Sequence, residues 1–219
     1  MLGAAMTCLP HWQFIKQLPL NHQIIYYASN FMHLASECWN DFLRPKPSID
    51  DVHRHPTAMS KPVTLEIGDN APSFACKDSA GNEHDLATYG AEGKTVILYF
   101  YPRDSTPGCT KQACDFRDNM GRFNKDDHVV LGVSKDSEAS HEKFIAKQEL
   151  NFPLLMDTEG YLHELFGTWR MKKNYGKEYL GCVRSTFVIS PDGTIKWCRY
   201  NVRAKGHVDM LMRELEFED

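Results

Sequence analysis

The chain runs to 219 residues with a formal net charge of −4 and 42% apolar side chains, enough for one domain with a full hydrophobic core and further chain besides. Both signs of charge are mixed along it, with no basic stripe to follow a nucleic-acid backbone and no apolar run near the ~20 residues of a spanning helix. Seven cysteines, an odd number at irregular spacings, do not make a secreted disulfide framework, so the chain is placed in a reducing, cytoplasmic setting with no nucleic acid and no membrane among its partners.

Residues 1–58 stand apart. They hold five of the ten histidines and leave through a proline-rich stretch, Arg44-Pro45-Lys46-Pro47. Their best apolar stretch, Ile24 to Ala35, is broken by Asn30 and His33 and lies too far in for a secretory signal. Acidic residues match basic ones there, unlike an organelle transit peptide. The segment is expected to be a poorly ordered leader. Met59-Ser60-Lys61 has the form of an ordinary protein start, so the expected functional domain is 59–219, with 1–58 a non-native extension.

From residue 60 the pattern becomes regular. Pro72 to Lys77 and Asn82 to Leu86 read as short strands around the turn cluster Ser79-Ala80-Gly81. Thr95 to Tyr101 is a continuous β-branched and aromatic run, the mark of a strand buried on both faces. A helix should follow over Pro107 to Asn124, then a second buried strand over Val129 to Val133. Ser137 to Leu150 reads as a helix capped by Ser137, with Phe144 and Ile145 facing inward. Pro153 to Met156 is a short strand, and Tyr161 to Phe166 a short helix stopped at Gly167. Thr186 to Ile189 and Thr194 to Tyr200 flank Pro191-Asp192-Gly193 and make a hairpin. Val208, Leu211, Met212 and Leu215 line one face of a last helix. This order predicts an α/β domain: a central mixed β-sheet flanked by helices, with an N-terminal β-hairpin.

The strand at Thr95–Tyr101 empties into Pro102-Arg103-Asp104-Ser105, and then Thr106-Pro107-Gly108-Cys109-Thr110. Thr106 suits an N-cap and Pro107 a first helical residue. Cys109 then falls in the first turn, where unpaired amides and the positive helix end favour a thiolate. Gly108 leaves the backbone open to a small substrate. Cys109, Ala113, Phe116, Met120 and Phe123 recur at helical spacing, so Cys109 heads a buried stripe. On spacing alone it is either a reactive thiol at the base of a pocket or a small core residue. Cys114 lies five residues on; in an unbroken helix the two Cα atoms sit about 8.5 Å apart. A disulfide tolerates no more than about 7 Å. The pair is therefore either unrelated or a switch that melts the first turns of the helix. A zinc site would need a second pair at ligand spacing, which Cys182 and His207 do not supply, and a thioredoxin-type site would need C-x-x-C. Neither a metal nor a cofactor is expected.

The run Tyr101-Pro102, Thr106-Pro107-Gly108-Cys109-Thr110 and Gln112-Ala113-Cys114 resembles the PrxQ-type peroxiredoxins, also called bacterioferritin comigratory proteins. So do Ile67 to Pro72, Phe152 to Asp157, Tyr175 to Tyr179, Arg184 to Phe187 and Ala204 to His207, in order over about residues 62–216. The resemblance implies a thioredoxin-like fold. It implies a peroxide substrate (hydrogen peroxide or an organic hydroperoxide), with thioredoxin or a similar dithiol as reductant, acting as a monomer. By motif, Cys109 is the peroxidatic cysteine, Thr106 its hydroxyl partner, Arg184 its guanidinium partner and Cys114 the resolving cysteine of many members. Thr106 would orient the peroxide and donate to it, and Pro107 would shield the sulfur. Cys182 stands where the pattern has an aliphatic residue; it is a small buried side chain or a competing resolving thiol. Cys76 and Cys198 read as strand or core residues, and Cys8 and Cys38 receive no role. A general thiol–disulfide oxidoreductase on the same fold is the alternative, but it expects C-x-x-C.

Overall fold

The computed structural model describes residues 62–125, 127–174 and 176–215. The expectations for residues 1–58, for Cys8 and Cys38, for the start at Met59 and for Tyr175 lie outside the described residues. Among the described residues no helix is long and apolar enough to cross a membrane.

Strands β1 (Ala75–Lys77) and β2 (Glu83–Asp85) pair antiparallel with Cys76 opposite His84, the expected N-terminal hairpin. Asp78 builds the turn: its carboxylate accepts from the amides of Ala80 and Asn82 at 2.9 and 2.8 Å. The expected second strand stops before Leu86, because Asp85 acts as a helix cap. Its carboxylate accepts from the Ala87 amide at 3.0 Å and opens α1 (Leu86–Ala91), a helix the sequence pattern did not announce.

Strand β3 (Thr95–Phe100) is buried at every position. It pairs parallel with β4 (His128–Ser134) and antiparallel with β8 (Ser185–Ile189). With β5 (Leu154–Met156) beyond β4 and β9 (Ile195–Arg199) beyond β8, the sheet order is β5-β4-β3-β8-β9. Helix α2 (Pro107–Lys125) crosses from β3 to β4, and α3 (Glu138–Gln148) from β4 to β5. Ser137 holds the N-cap position of α3 but its hydroxyl makes no capping bond; its carbonyl accepts from Ser140 and His141 at 2.9 and 3.0 Å.

Alternation along β3 sorts the core into two layers. Ile97, Tyr99 and Tyr101 face Cys109, Phe116 and Phe123 of α2, Phe144 of α3, and Val208 and Leu211 of α5 (His207–Glu214). Tyr99 stacks on Phe116 with ring centroids 4.6 Å apart. Trp197 of β9 closes this layer, its indole N–H donating to Glu214 at the end of α5. On the other face Leu98, Phe100 and Phe187 pack with Leu86, Phe166 and Leu162 of α4 (Tyr161–Leu165). The result is the α/β architecture with a central mixed sheet that the sequence predicts.

One hairpin was unforeseen. Strands β6 (Trp169–Asn174) and β7 (Lys177–Cys182) pair antiparallel as a separate sheet. Met171, Tyr179 and Leu180 are exposed there, so no buried face imprints an alternating pattern.

Candidate active site

Helix α2 begins where β3 ends, and β8 runs antiparallel to β3 with Ser185 opposite Phe100. The residue just before β8, Arg184, is thereby delivered to the N-terminus of α2. This is why Cys109 and Arg184, 75 positions apart, meet: Arg184 Nη2 donates to Cys109 Sγ at 3.1 Å.

Cys109 is 2% exposed. The amide of Thr110 already bonds to the Thr106 carbonyl at 2.8 Å, so the sulfur lies in the first turn, beside amides without an intrahelical acceptor. An added Cβ on Gly108 would lie 3.5 Å from Ala204 Cβ and 3.7 Å from Arg184 Nη2. Glycine therefore keeps open the space in front of the guanidinium. Pro107 is exposed at the rim.

Thr106 departs from its sequence reading. Its hydroxyl does not cap the helix; it donates to the Arg103 carbonyl at 3.1 Å. With that proton committed, the oxygen offers lone pairs to a neighbour, so as placed Thr106 accepts a hydrogen bond where the sequence reading had it donate.

The loop carrying Thr106 is pinned by a buried network the sequence reading missed. Asp104 accepts from the Tyr101 and Ser140 hydroxyls at 2.7 and 2.8 Å and lies 2.9 Å from His141 Nδ1. Its amide donates to Asp136 at 2.8 Å. Burial opposes charge on Asp104, but hydrogen bonds from His141, Tyr101 and Ser140 outweigh it and hold the carboxyl below its ordinary range. Ser105 takes a left-handed φ of 56°, a conformation non-glycine residues keep only where surroundings enforce it.

Behind the guanidinium lies a second unforeseen chain. Arg184 Nη1 donates to Gln112 Oε1, and Gln112 Nε2 meets His207 Nδ1 at 2.9 Å. Gln112 is fully buried on the α2 stripe, three residues after Cys109. A buried glutamine at a core-facing position was the available signal. Since the amide nitrogen can only donate, His207 Nδ1 accepts and the ring's hydrogen sits on Nε2. Burial first, then the charges of Arg184 and Arg199, lower the His207 pKa to about 4, in keeping with a neutral ring.

Cys114 lies on the same unbroken helix, half-buried, its thiol 3.7 Å from Gln148 Oε1. Both it and Cys109 are free thiols. Cys182 is buried in the other core layer, and burial, only partly offset by Lys172 and Arg184, pushes its thiol up to about 12. Cys76, which donates to the Met156 carbonyl, is raised to about 11, chiefly by burial. Cys198 is half-buried on β9. Cys182 and His207 serve opposite faces of the sheet and are not brought together.

The AhpC/TSA family model matches residues 67–198. The peroxiredoxin Bcp of Bacillus subtilis is 46% identical over 156 residues, covering 70% of this chain and 97% of the relative. The peroxiredoxin Bcp of Escherichia coli is 39% identical over 152 residues, 69% and 96%. Among solved structures, the bacterioferritin comigratory protein of Xanthomonas campestris, studied for alkyl peroxide reduction, superposes with a TM-score of 0.61 at 38% identity over 65% of this chain and 90% of its own. A PrxQ variant of Xylella fastidiosa gives 0.66 at 32% identity, over 70% and 97%.

Proposed function

The chain belongs to the AhpC/TSA family and is a thiol peroxidase of the Bcp/PrxQ kind with a thioredoxin-like fold, and from that premise we propose that Cys109 is its peroxidatic thiol. The observation that carries this is the 3.1 Å contact from Arg184 to a buried sulfur in the first turn of α2. A guanidinium that stays charged and a positive helix end both favour the thiolate.

The thiolate attacks one peroxide oxygen; an S–O bond forms, the O–O bond breaks, and the second oxygen leaves as hydroxide or alkoxide, which takes up a proton from solvent to become water or an alcohol. Cys109 becomes a sulfenic acid. Thr106 accepts from the proton-bearing peroxide oxygen and so fixes its orientation, while a free N–H of Arg184 meets the charge growing on the leaving oxygen. Gly108 leaves room for the substrate, and Pro107 screens the sulfur from bulk water.

Cys114 then attacks the sulfenic sulfur. An S–S bond forms and hydroxide leaves, taking a proton to become water. Cα atoms about 8.5 Å apart in an intact helix must first approach to within about 7 Å, so the first turns of α2 unwind. That step breaks the Arg184–Gln112 and Gln112–His207 contacts. Thioredoxin or a similar dithiol restores both thiols and is itself oxidised to the disulfide. Peroxide reduction and disulfide formation in this cycle call on Cys109, Cys114, Thr106 and Arg184 of a single chain, so the reading has the protein act as a monomer, in the reducing cytoplasm where such dithiols are maintained. Cys182, protonated and across the sheet, is a poor resolving nucleophile.

The test is stoichiometric peroxide followed by peptide mapping. Cys109 thiol should vanish first and a Cys109–Cys114 disulfide appear. Reaction at Cys109 no faster than that of free cysteine overturns the assignment.

A further inference from the structure

Beside the peroxide site, on the far side of His207, lies a groove of about 400 Å³ lined by Arg199, Arg203, Lys205, Gly206, His207 and Arg213. Nothing in the peroxidase cycle uses it. We propose that it is a binding site for a small oxyanion, a phosphate or carboxylate group on an organic molecule or free in solution. The binding itself is independent of the peroxidase chemistry; its coupling to the redox state, argued below, rests on the proposed disulfide cycle.

Separate features converge there. Helix α5 starts at the groove wall with Gly206 as N-cap at a φ of 72° and no side chain capping it. Its first intrahelical bond runs from the Met210 amide to the Gly206 carbonyl at 3.1 Å, so the amides of His207, Val208 and Asp209 have no intrahelical acceptor. His207 is 1% exposed, its Nδ1 is taken by Gln112, and its hydrogen-bearing Nε2 finds no partner among the described residues. A buried donor without an acceptor calls for an occupant. Arg199, Arg203, Lys205 and Arg213 supply positive charge around it. The opposing carboxylates are few. Glu214 is engaged by Arg199 at 3.4 Å and by Trp197. Asp209, in the first turn of α5, lies within electrostatic reach of Lys111 on α2. An anion here accepts from the helix amides and from His207 Nε2, the arrangement that helix N-termini offer to phosphates and carboxylates.

Occupancy also has a direction. An acceptor at Nε2 keeps the hydrogen there and leaves Nδ1 to Gln112, which supports Arg184. The bound anion therefore favours the helical, reduced form, and by reciprocity the reduced form binds it more tightly than the disulfide form.

The test uses the full chain, reduced, titrated calorimetrically with inorganic phosphate and separately with succinate at constant ionic strength. Saturable binding of phosphate supports a tetrahedral oxyanion site; binding of succinate alone supports a carboxylate site. In either case the Arg203→Ala/Lys205→Ala variant, altered only at exposed positions, should bind about tenfold more weakly, and the His207 side-chain nitrogen resonances should shift on titration. No saturable binding of either probe below about 10 mM overturns the proposal. So does binding that the variant retains in full or that leaves the His207 resonances unmoved.

Discussion

At the scale of single residues, the sulfur proposed to react sits at the end of a relay: Cys109 is held by Arg184, Arg184 by Gln112, and Gln112 by His207. Lysine has no planar fork with which to hold the sulfur and Gln112 together. Arg184→Lys should therefore slow Cys109 oxidation about 100-fold in stopped-flow measurements, the usual cost of one misplaced charge-stabilising donor. Gln112→Leu keeps the volume and removes the anchor, and a loss of about tenfold is expected. His207 adds a dependence on pH. It is neutral when folded, with a pKa of about 4, against an ordinary value of 6.5. Above pH 6.5 neither folded nor unfolded chain holds the proton, and its contribution is whole. As pH falls towards 4 the unfolded chain takes up a proton the folded one refuses, and about 3 kcal/mol of stability is lost. Urea unfolding between pH 7 and pH 4 should show this slope, and His207→Gln should flatten it. Cys109, Cys114, Arg184 and Thr106 could be nominated from the sequence because each sits in a short motif, and the structure brings Arg184 to Cys109. Gln112 and His207 lay in the same motifs yet had no legible role, since only the fold brings α5 against α2. The direction of the Thr106 hydrogen bond was illegible for a similar reason: a hydroxyl's partner depends on loop geometry.

Among the elements, α2 carries the conflict. In the proposed cycle it activates Cys109 only while helical and yields a disulfide only when its start is not. Beyond Cys114 the helix is tied down, because Arg117 donates to the Gln148 carbonyl and Asn151 donates back to the Arg117 carbonyl at 3.3 Å. Hydrogen exchange of the oxidised protein should therefore speed up over residues 107–114 and stay slow from Arg117 onward. Protection retained across the whole of α2 would rule out unwinding. Cys114→Ser should oxidise at the wild-type rate in a first turnover and fail in recycling with thioredoxin. Elements with strong period were readable: β3 from its unbroken apolar run, and α2 from its stripe of buried residues. Helix α1 was hidden because it is short and buries only Leu86. The β6–β7 hairpin was hidden because its exposed faces impose no alternation.

For the whole molecule, the sheet is the platform and its aromatic layer the main store of stability. Phe116 is fully buried against Tyr99, Phe123 and Phe152, and Phe116→Ala should cost about 3–5 kcal/mol, read as a fall in the urea midpoint. Relatives are covered over 96% and 97% of their length by 69% and 70% of this chain. A protein beginning at Met59 should accordingly keep both its melting temperature and its peroxide rate, and a drop in either would assign residues 1–58 a part. The architecture was legible as a whole because element order alone constrains an α/β layer. Trp197 carries a further consequence. Its indole shares a core layer with Cys109 and is held by Glu214 on α5, the helix that opens with His207. Indole emission responds to a nearby carboxylate and to local polarity, so the molecule contains its own optical gauge. In the proposed cycle, sulfenic acid formation should leave α5 seated and the emission steady, whereas disulfide formation should free His207 from Gln112, loosen α5 and change the light, separating in one fluorescence trace two chemical steps that consume the same thiol.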